Sequence, residues 1–335
     1  GLDLPAVDHA ITLGIACEAC HNGCADHVKD EDVVPSFFPK SPHVVVEGTS
    51  NEEVWGHNAI NVNWACSRCH SGGRKTYAGG ISTWNSTELS DAARGGCYDP
   101  VAARETGMTH LTCVTCHNPH EGIGQQWPRT RAEDNKSCVD CHSQFKNEET
   151  LVSHTHHPAA STGSDCMNCH MPRINEGLQD MVRTHTIFSP TEPRMIEANQ
   201  PNACNQCHVE EGIDWTLGYL KEWYGADGFD RSRIDLNYPG RAESAALGWL
   251  RSPHSGTRLV GSDSLTRAKA SWALPDLIGM LDDDHLINRQ FTARGLEKML
   301  GRNLRDLGYR FYMFRDEREE PLQRIREELL EQADE

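Results

Sequence analysis

Cys113-Val114-Thr115-Cys116-His117-Asn118-Pro119-His120 carries two thiols three residues apart, an imidazole directly after the second, and another imidazole three residues further on. The same Cys-x-x-Cys-His unit recurs at Cys17-Cys20-His21, Cys66-Cys69-His70, Cys138-Cys141-His142, Cys166-Cys169-His170 and Cys204-Cys207-His208. Twelve of the 14 cysteines are used in this way, whereas a random chain of this composition would hold about 0.03 such units. Thiols at i and i+3 lie on one side of a helical turn. There they can form thioethers with the two vinyl groups of a haem while the next imidazole reaches the iron, so each unit supplies two covalent links and one axial ligand. The spacing therefore predicts six covalently bound haems c, with His21, His70, His117, His142, His170 and His208 as proximal ligands. A zinc ribbon would pair two Cys-x-x-Cys units per metal, and neither it nor a redox dithiol needs a His after every unit.

Covalent attachment of this kind takes place outside the cytoplasm, which places the chain in the periplasm or among secreted proteins. Such compartments permit disulfides, and Cys24 and Cys97, the two cysteines left over, are expected to pair there. Two free thiols, or a ligand role for Cys24 beside the first haem, are the alternatives. The opening Gly1-Leu2-Asp3-Leu4-Pro5 has no Met, basic segment or apolar segment, as expected of a chain whose secretion signal has been removed.

Of the 18 His, six are proximal; ten of the others precede residue 209. That is enough to close every iron with a second imidazole, and a six-coordinate iron moves electrons without binding substrate. His110 lies three residues before Cys113, His120 three after His117, and His154-Thr155-His156-His157 precedes Cys166. His57 rests only on its place nine residues before Cys66; His9 and His43 are reserves. His254 and His285, beyond the last unit, read as surface residues.

Mean composition is consistent with a modest core: 37% of residues are hydrophobic. The net charge of −17, from 32 Lys+Arg against 49 Asp+Glu, argues against nucleic acid as a partner. No apolar run approaches the roughly 18 residues of a membrane span. Units beginning at 17, 66, 113, 138, 166 and 204 leave the last four haems the least polypeptide between them. The expected fold is mainly α with extensive coil. Residues 1–208 form a hexahaem cytochrome c domain in which macrocycles, packed by Trp55, Trp64, Trp84, Trp127, Met108 and Met171, replace a side-chain core. The only β-like run is residues 44–47.

From residue 209 onward there is no Cys, and apolar residues take helical spacing. Ile213, Leu217, Leu220 and Tyr224 mark one helix face ending at Gly225. Leu274, Leu277, Ile278 and Leu281, then Asp282-Asp283-Asp284 as turn and cap, then Ile287, Phe291, Leu296, Met299 and Leu300 before Gly301 read as a helical hairpin. This gives a second domain, 209–335, of HEAT-like style, closing with a charged helix that turns Leu322, Ile325 and Leu329 to one side.

Several stretches resemble the haem-packing group of pentahaem nitrite reductase, hydroxylamine oxidoreductase and cytochrome c554, and more closely bacterial multihaem cytochromes with a C-terminal HEAT or tetratricopeptide tail. They are Cys17–His21 with His27, residues 113–120, His154–His157 leading to residues 166–172, Arg183-Thr184-His185, and residues 201–208 through Glu222-Trp223-Tyr224-Gly225. The resemblance covers roughly residues 1–225 and implies His27, His120, His185 and one or both of His154 and His157 as distal ligands. The chain has no Cys-x-x-Cys-Lys unit, the mark of the active haem in the nitrite reductases, and no haem motif before Cys17. Both departures weaken an enzyme reading. Three functions compete: an electron carrier working with redox protein partners, a reductase of a small nitrogen or sulfur oxyanion with one open haem, and a filament built from further copies of the chain.

Overall fold

The computed structural model describes residues 15–38, 56–98, 111–121 and 129–330. His9, His43, His110, Trp55, Met108, Trp127 and residues 44–47 lie outside the described residues. The chain is mainly helical with long coil, as expected.

Most Cys-x-x-Cys-His units sit on a helical turn. The helices of this part, in chain order, are α1 (Cys24–His27), just after the first unit, α2 (Ala59–His70), α3 (Glu88–Ala92), α4 (Cys113–Cys116), α5 (Arg131–Val139), α6 (Glu148–Thr155) and α7 (Cys166–His170); the second to fifth units begin on α2, α4, α5 and α7. In four units the ligand amide donates to the carbonyl of the first cysteine: His21 to Cys17 at 2.9 Å, His117 to Cys113 at 3.0 Å, His142 to Cys138 at 2.9 Å and His208 to Cys204 at 2.9 Å. That bond closes one turn and brings thiols and imidazole together. Polar caps start these short helices: the Asn58 side chain accepts from Asn61 N at 3.0 Å, and Thr130 and Glu133 form a reciprocal capping box. Between residues 111 and 171 the described chain buries no apolar side chain. The polypeptide there has no core of its own, which is what bulky bound cofactors require.

A two-stranded antiparallel sheet, β1 (Arg173–Glu176) and β2 (Met181–Arg183), follows α7. Sequence reading does not find it because Ile174, Asn175 and Glu176 are all buried, so no alternation marks the strand. Tyr77 donates its hydroxyl to the Ile174 carbonyl at 2.8 Å, fastening residues 74–98 to this hairpin.

The remaining helices are α8 (Pro193–Glu197), α9 (Ile213–Tyr224), α10 (Arg231–Asn237), α11 (Ala245–Trp249), α12 (Ser255–Arg267), α13 (Leu274–Gly279), α14 (Leu286–Leu300) and α15 (Arg315–Leu330). The main apolar cluster joins α11 to α15 around Trp249, Leu259, Leu277, Leu296 and Ile325, each buried. It does not stop at residue 208, since Tyr77, Ile81, Ile174, Met181 and Met195 belong to it.

The segment from Leu274 to Leu281 is the short α13 followed by a 3-10 turn, and α14 packs against α12 as well as against that turn. Helix α12 escapes sequence reading because it is Ser-, Thr- and Gly-rich and buried on several sides. Thr257, Ser262, Ser264 and Thr266 are all buried, and Ser262 and Thr292 share a 2.7 Å hydroxyl hydrogen bond across the seam. The aspartate triplet acts as a clamp: Asp283 pairs with Arg258 of α12 at 2.6 Å, and Asp282 with Arg318 of α15 at 2.6 Å. His254 departs from its expected surface place. It is half-buried against Tyr77, with ring centroids 5.1 Å apart, and its Nδ1 caps α12 by accepting from Thr257 N at 3.2 Å. His285 is exposed.

Candidate haem sites

Two imidazoles bound to one iron from opposite sides, each nitrogen about 2 Å from the metal, place their ring centres roughly 6 Å apart. Four proximal imidazoles face a second imidazole at that separation. His170 faces His154 at 6.1 Å with planes 2° apart, and His208 faces His157 at 6.1 Å. His117 faces His185 at 6.2 Å. His21 lies 6.3 Å from His120 and 6.2 Å from His57. The donor set and spacing thus fit haem at four of the units.

At the first unit the two candidates differ. His57 Nε2 donates to the Pro35 carbonyl at 2.6 Å, so the nitrogen that usually meets iron is engaged. Among the described residues no such bond engages the His120 ring; its backbone amide donates to Asn118 Oδ1 at 3.1 Å. His27 donates its Nδ1 to the Val33 carbonyl at 3.1 Å and lies close enough to act electrostatically on His21. His70 and His142 face no second imidazole among the described residues.

Burial lowers the pKa of His21, His117, His154, His185 and His208; the facing imidazole adds to this for His154, His185 and His208, and for His21 through both His57 and His120, whereas at His117 the further lowering comes from Arg129 and His70. Neutral imidazole is the form that binds a metal. Ligand orientation comes from the other ring nitrogen. His170 Nδ1 donates to the Phe188 carbonyl at 3.0 Å, His157 Nδ1 to the Thr155 carbonyl at 2.6 Å, and His70 Nδ1 lies 2.8 Å from Glu88 Oε2. His21 Nδ1 is buried with no partner.

The thiols show which units are neighbours. Cys66 shares a hydrogen bond with Cys113, which draws the Cys66 thiol down to about 6 and pushes Cys113 up. Cys138 and Cys166 form the same kind of pair, with Cys166 lowered to about 7. Burial first, then the nearby Cys207, pushes Cys169 up to about 11. Cys138 in turn senses Cys116. The second to sixth units are therefore neighbours in chain order. His117 and His120 tie the third unit to the first, and His154 and His157 tie the fifth to the sixth.

Cys24 and Cys97, the pair expected from the compartment, lie among different neighbours. Cys24 Sγ lies 3.7 Å from the His21 carbonyl, whereas Cys97 is close to Cys116 and Cys141.

Helix α9 contributes what sequence reading missed. Ile213 and Leu220 are buried as expected, with Leu217 and Cys204 packed against them, but Tyr224 is 42% exposed. Its hydroxyl donates to the His154 carbonyl at 2.9 Å. Trp215, Tyr219 and Trp223, at i, i+4 and i+8, make an aromatic row running from His208 (4.7 Å) to His156 (4.4 Å). The i, i+4, i+8 spacing of this row runs beside the aliphatic stripe of Ile213, Leu217 and Leu220. His156 takes a left-handed backbone (φ 55°) and stacks on Trp223, which leaves His154 and His157 on either side of it as the two facing ligands.

Repeated covalent-attachment units with imidazoles facing one another make this chain a multihaem c-type cytochrome. The family described as the doubled CXXCH motif matches residues 100–147, which hold the third and fourth units. The chain is 22% identical over 215 residues to the multiheme cytochrome MtrA of Shewanella baltica (strain OS185), a match covering 59% of this chain and 57% of the relative's length. No solved structure matches. Among the described residues no helix is long and apolar enough to cross a membrane.

Proposed function

We propose that the chain is an extracytoplasmic electron relay holding six haems c, attached at Cys17/Cys20, Cys66/Cys69, Cys113/Cys116, Cys138/Cys141, Cys166/Cys169 and Cys204/Cys207. The distal ligands are His120 at the first site, His185 at the third, His154 at the fifth and His157 at the sixth. The observation that carries this reading is the set of facing imidazoles at 6.1 to 6.3 Å. An iron closed on both sides exchanges electrons and takes up no substrate. Bound haems supply one-electron redox chemistry; the protein supplies ligation, close spacing and exclusion of other ligands. The HEAT-like tail, residues 209–335, covers the sixth site through α9 and α10, which pack around Cys204.

An acidic surface favours redox partners that dock through basic patches. The test is intact mass, which should show six haems per chain, together with carbon monoxide titration of the reduced protein. Stoichiometric carbon monoxide uptake by the native protein would move the reading to a reductase with an open haem. Electron micrographs of the native protein would separate a discrete particle from a filament of further copies.

A further inference from the structure

We propose that Glu88 is a positioning residue that sets the haem at Cys66–His70 to a lower reduction potential than its neighbours. The inference rests on the reading that this unit carries haem. Glu88 opens α3, eighteen residues after His70, and nothing in the motif points to it. Its two carboxylate oxygens are separately engaged: Oε1 accepts from the Ser86 amide at 2.9 Å, and Oε2 lies 2.8 Å from His70 Nδ1. The Ser86 backbone is left-handed (φ 62°), and the turn it makes leads directly into α3. One oxygen is thus anchored to the backbone and the other aimed at the ligand.

A carboxylate that accepts from the free nitrogen of a ligating imidazole raises the ligand's basicity and stabilises the higher oxidation state of the metal. The other units differ. His170 has a neutral carbonyl in that position and the buried His21 Nδ1 has no partner. Among these three proximal ligands only His70 meets a full negative charge. Glu88 also interacts electrostatically with His117 and His185, so its charge reaches the third site more weakly. Since the second and third units touch through Cys66 and Cys113, a lowered potential at the second makes passage of an electron to the third favourable.

The test is a spectroelectrochemical titration of the full-length haem-loaded protein and of Glu88→Gln, which keeps an acceptor for the Ser86 amide and removes the charge. Glu88→Gln is expected to shift one component upward by at least about tenfold in its ferric/ferrous equilibrium, about 59 mV for one electron. A second component should move less in the same direction, with the rest in place. Glu88→Asp, which keeps the charge, should give a smaller shift.

Unmoved components, a downward shift, an equal shift of all components, or a Glu88→Asp shift as large as that of Glu88→Gln would overturn the proposal. Intact mass on the same samples keeps the two readings apart. A missing haem at Cys66/Cys69 in the unsubstituted protein defeats the underlying assignment, whereas full loading with unmoved potentials defeats the role of Glu88 alone.

Discussion

The imidazoles of His154 and His170 lie opposite one another, 6.1 Å between centroids and with planes 2° from parallel, although they come from different helices, α6 and α7. Between those helices the chain makes the left-handed turn at His156 and a 3-10 turn, Thr162–Ser164. Tyr224, from the tail, holds the His154 carbonyl at 2.9 Å. The run His154-Thr155-His156-His157 divides its three imidazoles: the outer two face His170 and His208, and the middle one packs on Trp223.

Replacing His154 by Ala is therefore expected to open one iron. The reduced variant should bind about one carbon monoxide per chain and the ferric form should gain a high-spin signal, because one axial position is left vacant. His156→Ala should do neither. Electron paramagnetic resonance and carbon monoxide titration of both variants check this; a high-spin site in His156→Ala would show the assignment of the cluster to be wrong.

At the first unit two imidazoles stand at nearly equal distance from His21, and hydrogen bonding separates them. His57 gives its Nε2 proton to Pro35, whereas the His120 ring remains available. His120→Ala should produce the high-spin species, and His57→Ala should leave the low-spin spectrum in place while loosening the Pro35 segment. The reverse pattern would reassign the site.

The six Cys-x-x-Cys-His units were legible because each is written in five consecutive residues. The histidines that face those units were legible only as a pool, since His185 meets His117 and His120 meets His21 through tertiary folding that no local spacing reports. The helix face of α9 was read correctly at Ile213 and Leu220 and incorrectly at Tyr224, which turns toward the haem segment. Helix α12 was invisible because small hydroxyl side chains, not aliphatic ones, fill its seam. The boundary at residue 208, drawn from composition, is crossed by the shared cluster of Tyr77, Ile174 and Met195 with the tail. Glu88 could not be found from sequence, because its role depends on a turn that brings α3 to His70.

Glu176 predicts a pH dependence of stability. The residue is 9% exposed and its Oε1 has no partner. Burial raises its pKa to about 7, with Arg74 opposing only weakly. A raised folded-state value means the fold binds the proton more tightly than the unfolded chain. This contribution is full below about pH 4.5 and is lost as pH rises through about 7, amounting to about 3 kcal/mol. Glu176→Gln should thus raise the melting temperature at pH 8 and change it little at pH 4. Equal effects at both pH values would show that Glu176 is ionised throughout.

Gly295 on α14 faces Thr266 on α12 so closely that a Cβ there would lie 2.5 Å from Thr266 Oγ1, 2.9 Å from its Cβ and 3.0 Å from its Cγ2. Thr266 is itself buried, and its hydroxyl donates to the Ser262 carbonyl at 2.9 Å, so it has little room to turn aside. Gly295→Ala should gain helix propensity and still destabilise the protein by about 1–3 kcal/mol, because the two helices must part. Removing two of the three clashing atoms with Thr266→Ala in the same chain should recover part of that loss, giving a favourable coupling between the substitutions. The seam contains no haem ligand, so the low-spin spectrum of each variant should match the unsubstituted protein at room temperature. Denaturant unfolding followed by far-ultraviolet circular dichroism measures the coupling, and additive losses in the double variant would mean that α12 and α14 do not meet at this residue pair.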